Sequence, residues 1–588
     1  MKRKNDDRPS VVSDLSCWGC AGIFLLGLLV LAVKLREVQV VDSSSYLYSN
    51  DRQSLRRVEL PGVRGRIIDR HGKLLAGNRQ SLSIAVNAKY FQKRSWNATV
   101  EAISNEINRV GEALNLKSRP SGQILKRHIN QSLAMPLVVW RDVNHVTLAR
   151  FLERERDFPG FTYLETMERV YPGGSLAAHI LGYVGRDRTS ADSGDTRFNF
   201  RLPELRGRAG IEQYYDEYLN GVPGEKRLRV DARGFTVDEW IIQEPKGGPD
   251  LQLTLDANLQ RSVEKRLAGF KGACVAIDPR NGEVLAIASA PSYNLNDFVP
   301  YLSDATYERY SQDVAKPLLN RASGGAYAPG STFKPITALA GLSIGYPADH
   351  LYCCNGVYEL GNMELRCARR WGHGELDLRH ALKESCNPFF CNLGVDVGTN
   401  ALIRAAKAFG LGSKTGLDLS VDMSGTVPDA AWKAKMYHEK WFQGDVAQMS
   451  IGQGMLLVSP LQMARVAGAI GTGKLVTPHL RMGAPTSSKA LPFSLAQLRV
   501  VREGMRMVVD GGTGKRGGEG VSVPVSGKTG TAEVGKGATR RKNTWFIAYA
   551  PSESPVIAIA MVIENGQSGG GTTAPRVAEI LKEYFETL

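Results

Sequence analysis

Tyr327-Ala328-Pro329-Gly330-Ser331-Thr332-Phe333-Lys334 runs from a turn into an apolar stretch, Phe333, Ile336, Leu339, Ala340 and Leu342, whose spacing predicts a helix to about Ser343. Ser331 then opens a helix, and Lys334 stands one turn on along the same face. An amine held partly neutral by burial and by nearby cations can take the serine proton there, which activates the hydroxyl as a nucleophile.

Working outward, Ser385-Cys386-Asn387 and Lys528-Thr529-Gly530-Thr531 follow in order, and the three motifs together outline an active-site serine acyl-transfer enzyme. Each is short, and second copies occur at Ser262 to Lys265, Ser292 to Asn294 and Lys414 to Gly416. Context separates them. Ser262 lies inside the charged helix that begins near Asn258, where solvated side chains are the plainer reading. Lys414 to Gly416 sits in a turn, too close after Ser385 for a subdomain to intervene. Before Lys528, Val521, Val523 and Val525 alternate. After the basic hairpin Lys536 to Lys542 comes Trp545-Phe546-Ile547-Ala548-Tyr549. This pattern predicts an edge strand paired with its neighbour. A cation there, with the Thr529 and Thr531 hydroxyls, can hold a substrate carboxylate while strand N–H groups face an oxyanion.

The chain has 588 residues, 43% hydrophobic and 23% charged, which describes globular material in two or more domains. Leu15 to Val33 is almost wholly apolar, with Lys2, Arg3, Lys4 and Arg8 before it and Lys34 and Arg36 after it. At ~1.5 Å per residue that run nearly spans a ~30 Å hydrocarbon core. It is longer than the ~7–15 residue core of a cleaved signal, and no A-x-A site follows closely, although Ser43-Ser44-Ser45 could invite cleavage. The reading is a single-pass anchor in the lipid bilayer. Residues 1–14 form a cytoplasmic tail, 15–36 the transmembrane anchor, and everything from about residue 37 lies outside the cytoplasm. The net charge of +15 is spread along the chain without a nucleic-acid-binding motif, so no nucleic-acid partner is expected.

Residues 37–247 mix helices, such as Val100 to Leu114, with strands and offer no nucleophile beside a base, which is the pattern of a spacer or docking platform. At Gly247-Gly248-Pro249 the composition breaks, and Leu251 to Leu255 reads as the first strand of a second unit, 248–588. In it, Gly272 to Ile287 forms a hairpin about Asn281-Gly282. Two late strands, Thr544 to Tyr549 and Val556 to Ile563, precede a closing helix, Pro575 to Thr587. Early strands, a helical middle and late strands make an α+β arrangement in which the two ends of the unit share one central antiparallel sheet.

These features together resemble the class B penicillin-binding proteins, over the whole length of the chain. The likeness includes Arg64-Gly-Arg-Ile-Ile-Asp-Arg-His-Gly-Lys-Leu-Leu-Ala76, Arg169-Val-Tyr-Pro172, His179-Ile-Leu-Gly182 and Gly207-Arg-Ala-Gly-Ile-Glu212 besides the three motifs. Trp371-Gly-His-Gly374, Trp441-Phe-Gln-Gly-Asp445 and Ile451-Gly-Gln-Gly454 look more like the elongation branch than the division branch. The resemblance implies the serine-transpeptidase fold on an elongated N-terminal α/β pedestal of the dimerisation-domain kind, with the bulk of the chain in the periplasm and the anchor in the inner membrane. It also implies cross-linking of peptidoglycan stem peptides, with a D-alanyl-D-alanine donor and an amine acceptor. In that scheme Ser331 is the nucleophile, Lys334 its base, Ser385 and Asn387 the proton-relaying pair, and Lys528, Thr529, Gly530 and Thr531 the strand that grips the donor carboxylate. The backbone N–H groups of Ser331 and Thr531 would form the oxyanion hole. Catalysis would need no cofactor, β-lactams would be inhibitors, and glycan polymerisation would fall to a RodA-type partner.

One departure stands out. The middle residue of the second motif is cysteine, and Cys354, Cys367, His373 and Cys386 follow at spacings of 12, 5 and 12 intervening residues. Four such ligands can close a tetrahedral structural zinc site. If Ser385 and Asn387 face a cleft, Cys386 faces away, where a metal would pin the loop. A disulfide and unpaired buried thiols are the other readings, with Cys353 and Cys391 close by. Rival functions are a septal transpeptidase, a D,D-carboxypeptidase, a β-lactamase or a silent scaffold. A lactamase would need a deacylating glutamate after the second motif, whereas Glu359 to Asn362 precedes it.

Overall fold

The computed structural model describes residues 14–41, 54–117, 120–132, 135–186, 199–201, 205–231, 236–299, 301–535 and 541–587. Residues 1–13 of the expected tail, Ser43 to Ser45, and 536–540 in the basic hairpin lie outside the described residues. Helix α1 (Asp14–Arg36) is long and apolar enough to cross a membrane. From Trp18 to Val41 the mean hydropathy is 2.1, and the rest of the protein buries none of it.

The N-terminal half is built on two sheets. In one, β1 (Leu55–Leu60) pairs antiparallel with a strand at Gly224–Val230, which pairs in turn with the edge strand Thr236–Gln243. In the other, β2 (Ile67–Ile68) and the long β3 (Leu74–Val86) form the hairpin expected from Arg64 to Ala76, with Gly72 at φ +81° in its turn. Helix α2 (Trp96–Ala113) packs beside them. Ser95 caps it by accepting from the Ala98 N–H at 3.2 Å, and Thr99, Ile103, Ile107 and Val110 make its buried stripe. Leu251–Gln252, read from sequence as opening the second unit, instead runs parallel with β2 and extends the pedestal's sheet. Two residues of alternating burial cannot reveal which sheet they join.

A buried charge cluster ties the half together. Glu212, with no exposed side-chain surface, accepts from Arg64 Nε at 2.6 Å and from Arg169 Nε at 2.7 Å, and Tyr171 donates to it at 3.2 Å. Arg64 also reaches Asp216 at 2.7 Å. Burial is tolerable because each charge is paired and hydrogen-bonded. Arg64, Arg169, Tyr171 and Glu212 come from three of the segments that carry the family resemblance. The same region meets the second half: Tyr215 donates to Asp418 at 2.6 Å, and Asp418 also accepts from the Leu480 N–H at 2.6 Å.

The second half is organised by one five-stranded antiparallel sheet. β4 (Gly272–Ile277) and β5 (Val284–Ala290) come from its beginning, and β6 (Ser526–Val534), β7 (Arg541–Ala550) and β8 (Ile557–Glu564) from its end. Their spatial order is β5-β4-β8-β7-β6, so the two ends of the unit share the sheet as expected. β6 starts at Ser526, later than the period-two valines had implied. Pro524 interrupts the run, and Val521 and Val523 pack as irregular chain.

Alternate residues of the sheet feed two cores. Cys274, Ala276, Phe546 and Ile559 face α3 (Ala257–Leu267) and the C-terminal helix Ala574–Glu586, while Val275, Ile547 and Ala560 face a helical lobe. Ser262 is buried inside α3 at 7% exposure rather than solvated. The lobe holds α4 (Lys334–Ser343), α5 (Leu378–Glu384), α6 (Asn387–Val397) and α7 (Pro460–Thr472). Residues 460–471 of α7 are all buried, and its two long polar side chains, Gln462 and Arg465, donate to backbone carbonyls of neighbouring segments.

Candidate active site

Ser331 lies in a one-turn 3-10 segment, Gly330–Phe333, that runs straight into α4. Phe333, fully buried, anchors that turn; burying such a ring is worth about 1.5–3 kcal/mol. Gly330 has φ +55°, and a Cβ there would lie 2.9 Å from the Thr531 carbonyl oxygen. The left-handed conformation and the close approach of β6 both require glycine. Ser331 itself is half-buried and opens onto a groove of about 1980 Å³ shared with Ser385, Asn387, Gln453, Thr513, Thr529 and Thr531.

Lys334 is fully buried. Its ammonium donates to the Ser385 carbonyl at 2.6 Å and to Asn387 Oδ1 at 2.7 Å, and approaches Ser385 Oγ at 3.4 Å. Burial pulls its pKa down to about 8. Ser385 ends α5 at φ +57°, a strained conformation for a residue with a side chain. That turn lets its carbonyl face Lys334 while its hydroxyl accepts from Lys528 at 2.8 Å. Lys528, also fully buried, donates to the Thr529 carbonyl at 3.1 Å as well. Burial first, and then the charge of Lys334, hold its amine well below the ordinary lysine range. The three motifs thus meet through Ser385, which two lysines far apart in sequence both contact.

β6 is the edge strand of the sheet. The Thr531 carbonyl accepts from Gln453 Nε2 at 3.4 Å, which lies away from β7. In an antiparallel strand a residue's N–H and C=O point the same way, so the Thr531 N–H also faces the open edge, beside Ser331. Thr529 Oγ1 is 2.7 Å from Thr513 Oγ1, and Thr531 Oγ1 accepts from the Gly569 N–H at 3.4 Å.

Behind the second motif, Cys354, Cys367, His373 and Cys386 bring their ligand atoms within 4.8 Å of one another. His373 Nδ1 is 3.3 Å from Cys367 Sγ and 3.9 Å from Cys354 Sγ. Zn–S and Zn–N bonds of about 2.3 and 2.0–2.1 Å at tetrahedral angles put such atoms about 3.6 Å apart, so the donor set fits zinc. On the far side of the ring, His373 Nε2 lies 4.0 Å from Glu384, a carboxylate of the kind that orients a ligating imidazole. Asn387 donates to the Arg366 carbonyl at 3.0 Å, so it is held both by Cys386 before it and by the neighbour of Cys367. The thiols here are free; the Cys386 thiol holds that of Cys367 below its ordinary range.

The penicillin binding protein transpeptidase domain family matches residues 272–582, and the penicillin-binding protein dimerisation domain family matches 59–253. The chain is 31% identical to the peptidoglycan D,D-transpeptidase MrdA of Acinetobacter baumannii, over 96% of this chain and 86% of the relative. The chain belongs to the class B penicillin-binding proteins. Among solved structures, this penicillin-binding protein is similar to PBP2 of Helicobacter pylori in its complex with MreC. The TM-score is 0.79 at 28% identity, over 91% of this chain and 99% of that one. It is also similar to a chain of a peptidoglycan synthase complex that coordinates polymerization and crosslinking, with TM-score 0.73 and 28% identity over 97% and 99% of the two chains.

In this penicillin-binding protein the structure brings together all eight motif residues named from sequence, and separately the four Cys/His residues. The second copies stay apart: Ser292 to Asn294 and Lys414 to Gly416 lie in loops, and Ser262 is within α3. Sequence reasoning missed Thr513, which sits in an unremarkable Gly-Gly-Thr-Gly turn, and Gly569, whose only signal was the run Gly569-Gly570-Gly571.

Proposed function

We propose that this class B penicillin-binding protein is the peptidoglycan D,D-transpeptidase of cell-wall elongation and that it works through an ester on Ser331. The observation that carries this reading is the meeting of Lys334, Ser385 and Lys528 beside Ser331. Lys334, partly neutral near its lowered pKa, takes the Ser331 proton as Oγ attacks the carbonyl of the penultimate D-alanine. The N–H groups of Ser331 and Thr531 stabilise the oxyanion, a contribution worth ~10²–10³ in turnover for each donor. As the C–N bond breaks, the proton passes through Ser385 to the leaving D-alanine. An acceptor amine then attacks the ester, gives up a proton by the same route, and Ser331 recovers its own. One amide bond is lost and one gained, so no oxidant or reductant is needed. Thr529 and Thr531 hold the donor carboxylate; Lys528, committed to Ser385, fixes that residue's hydroxyl from behind. β-Lactams trap the same serine.

Cys354, Cys367, His373 and Cys386 would hold a structural zinc ion, which supplies a rigid tether behind Asn387 and no part of the chemistry. Helix α1 would anchor the chain in the inner membrane, with the pedestal and catalytic unit in the periplasm. Units of the domain plan are 1–14, 15–36, 37–247 and 248–588, with Leu251–Gln252 of the last lending a strand to the pedestal's sheet. A RodA-type polymerase would supply glycan strands and meet the anchor and pedestal. Labelling with a fluorescent penicillin tests the reading: an adduct lost in Ser331→Ala supports it, and an equal adduct in that variant overturns it. Mass spectrometry of muropeptides formed with a polymerase separates cross-linking from a carboxypeptidase's trimming.

A further inference from the structure

Thr513 belongs to none of the three motifs, yet it touches the third and the chain just before the second. It follows the helix Leu495–Gly511. Its N–H donates to the Lys383 carbonyl at 3.3 Å, two residues before Ser385, and its Oγ1 lies 2.7 Å from Thr529 Oγ1. Its carbonyl is also tightly packed, since a Cβ on Gly570 would lie 2.3 Å from it. The loop is therefore fixed against α5, β6 and the Gly569–Thr573 turn, and its hydroxyl faces the groove.

A hydroxyl carries one proton and two acceptor lone pairs. Between Thr513 and Thr529 one hydroxyl must donate and the other accept. Lys528 is fully buried and donates to Ser385 and the Thr529 carbonyl, so the Thr529 and Thr531 hydroxyls are the side-chain groups of this strand that meet a ligand. A carboxylate only accepts. When one arrives, Thr529 donates to it, and Thr513 donates to Thr529. The chain Thr513 to Thr529 to carboxylate is polarised in one direction, and each bond strengthens the next. A carboxamide is neutral and accepts from Thr529 only through its carbonyl oxygen, a bond that lacks the charge assistance a carboxylate gives.

We infer that Thr513 is a positioning and specificity-determining residue. By fixing Thr529 as a donor, it selects ligands that end in a free carboxylate over their neutral counterparts. The inference rests on the acyl-enzyme reading given above.

The test compares acylation rate constants of the full chain in detergent for a penicillin with its free carboxylate and for the same penicillin as its carboxamide. Thr513→Val and Thr513→Ala should lower the carboxylate rate about two- to twelvefold, the effect of one neutral hydrogen bond. The carboxamide rate should fall less, and Thr513→Ser should restore the preference. A merely structural role would lower both rates together, with a matching fall in melting temperature, and would overturn the inference, as would an unchanged preference in both variants. A wild-type chain that takes up neither ligand overturns the acyl-enzyme reading itself, and this inference with it.

Discussion

Replacing Glu212 with alanine should destabilise the pedestal severely while sparing the catalytic groove. The carboxylate is fully buried and is shared by Arg64 and Arg169, whose side chains are 3% and 0% exposed. Arg64 keeps Asp216 as a second partner. Arg169 is left with the Gly65 carbonyl at 2.7 Å and Asn78 at 3.3 Å, neither of which carries charge. Removing one partner of a buried ion pair costs about 3–5 kcal/mol, because the remaining charge stays in a poorly polarisable interior. For a domain of 150–250 residues each kcal/mol lowers the melting temperature by about 2–4 °C, so a fall of about 6–20 °C is expected. Scanning calorimetry of the detergent-solubilised chain, with fluorescent-penicillin labelling at low temperature, measures both halves. Glu212→Gln keeps the shape but not the charge and should fall between. A drop under about 2 °C in the alanine variant would refute the claim that the pair is a buried, uncompensated charge once broken.

Acylation should rise with pH as Lys334 loses its proton and level off above about 8, because only the neutral amine can accept the serine proton; a rate constant flat across that range would exclude Lys334 as the base. Purified protein should carry zinc near one per chain. Chelation, or Cys367→Ala, should remove it and slow penicillin labelling, since Asn387 is held by the residues beside two of the ligands; metal analysis near zero in protein folded with zinc would end that reading. Gly330→Val should abolish labelling, since it forces a side chain into φ +55° against the Thr531 carbonyl. The backbone conformation alone costs about 1–2 kcal/mol, and normal acylation rates in the variant would contradict the close approach of β6 to Ser331.

The residues proposed as catalytic were legible because their signals are local: a serine and lysine one turn apart, and a strand with a lysine at a fixed offset; the Cys/His cluster was legible from its spacing. The α+β sheet was legible from apolar runs at both ends of the unit. What sequence did not show depends on contacts between distant segments. Nothing near Glu212 announces that Arg64 and Arg169 converge on it, and Thr513 has meaning only beside Thr529. The strand at Leu251 reads the same whether it joins one sheet or another, and the valines before Ser526 keep strand periodicity although Pro524 prevents pairing. Ser262 looked solvated because charged residues surround it in sequence, yet it lies on the helix face beside Glu583 of the C-terminal helix, which buries it.

Because strand β6 is laid down against β7, and β7 against β8, which itself pairs with β4, the wall facing Ser331 is among the last parts of the molecule to be made. A growing polypeptide exposes its serine about 195 residues before the first residue of that wall. Until then the hydroxyl lacks the Thr531 N–H beside it and the second of the two lysines that contact Ser385. On the proposed acyl-enzyme mechanism, a nascent or prematurely terminated chain is therefore born inert toward donor peptides and β-lactams.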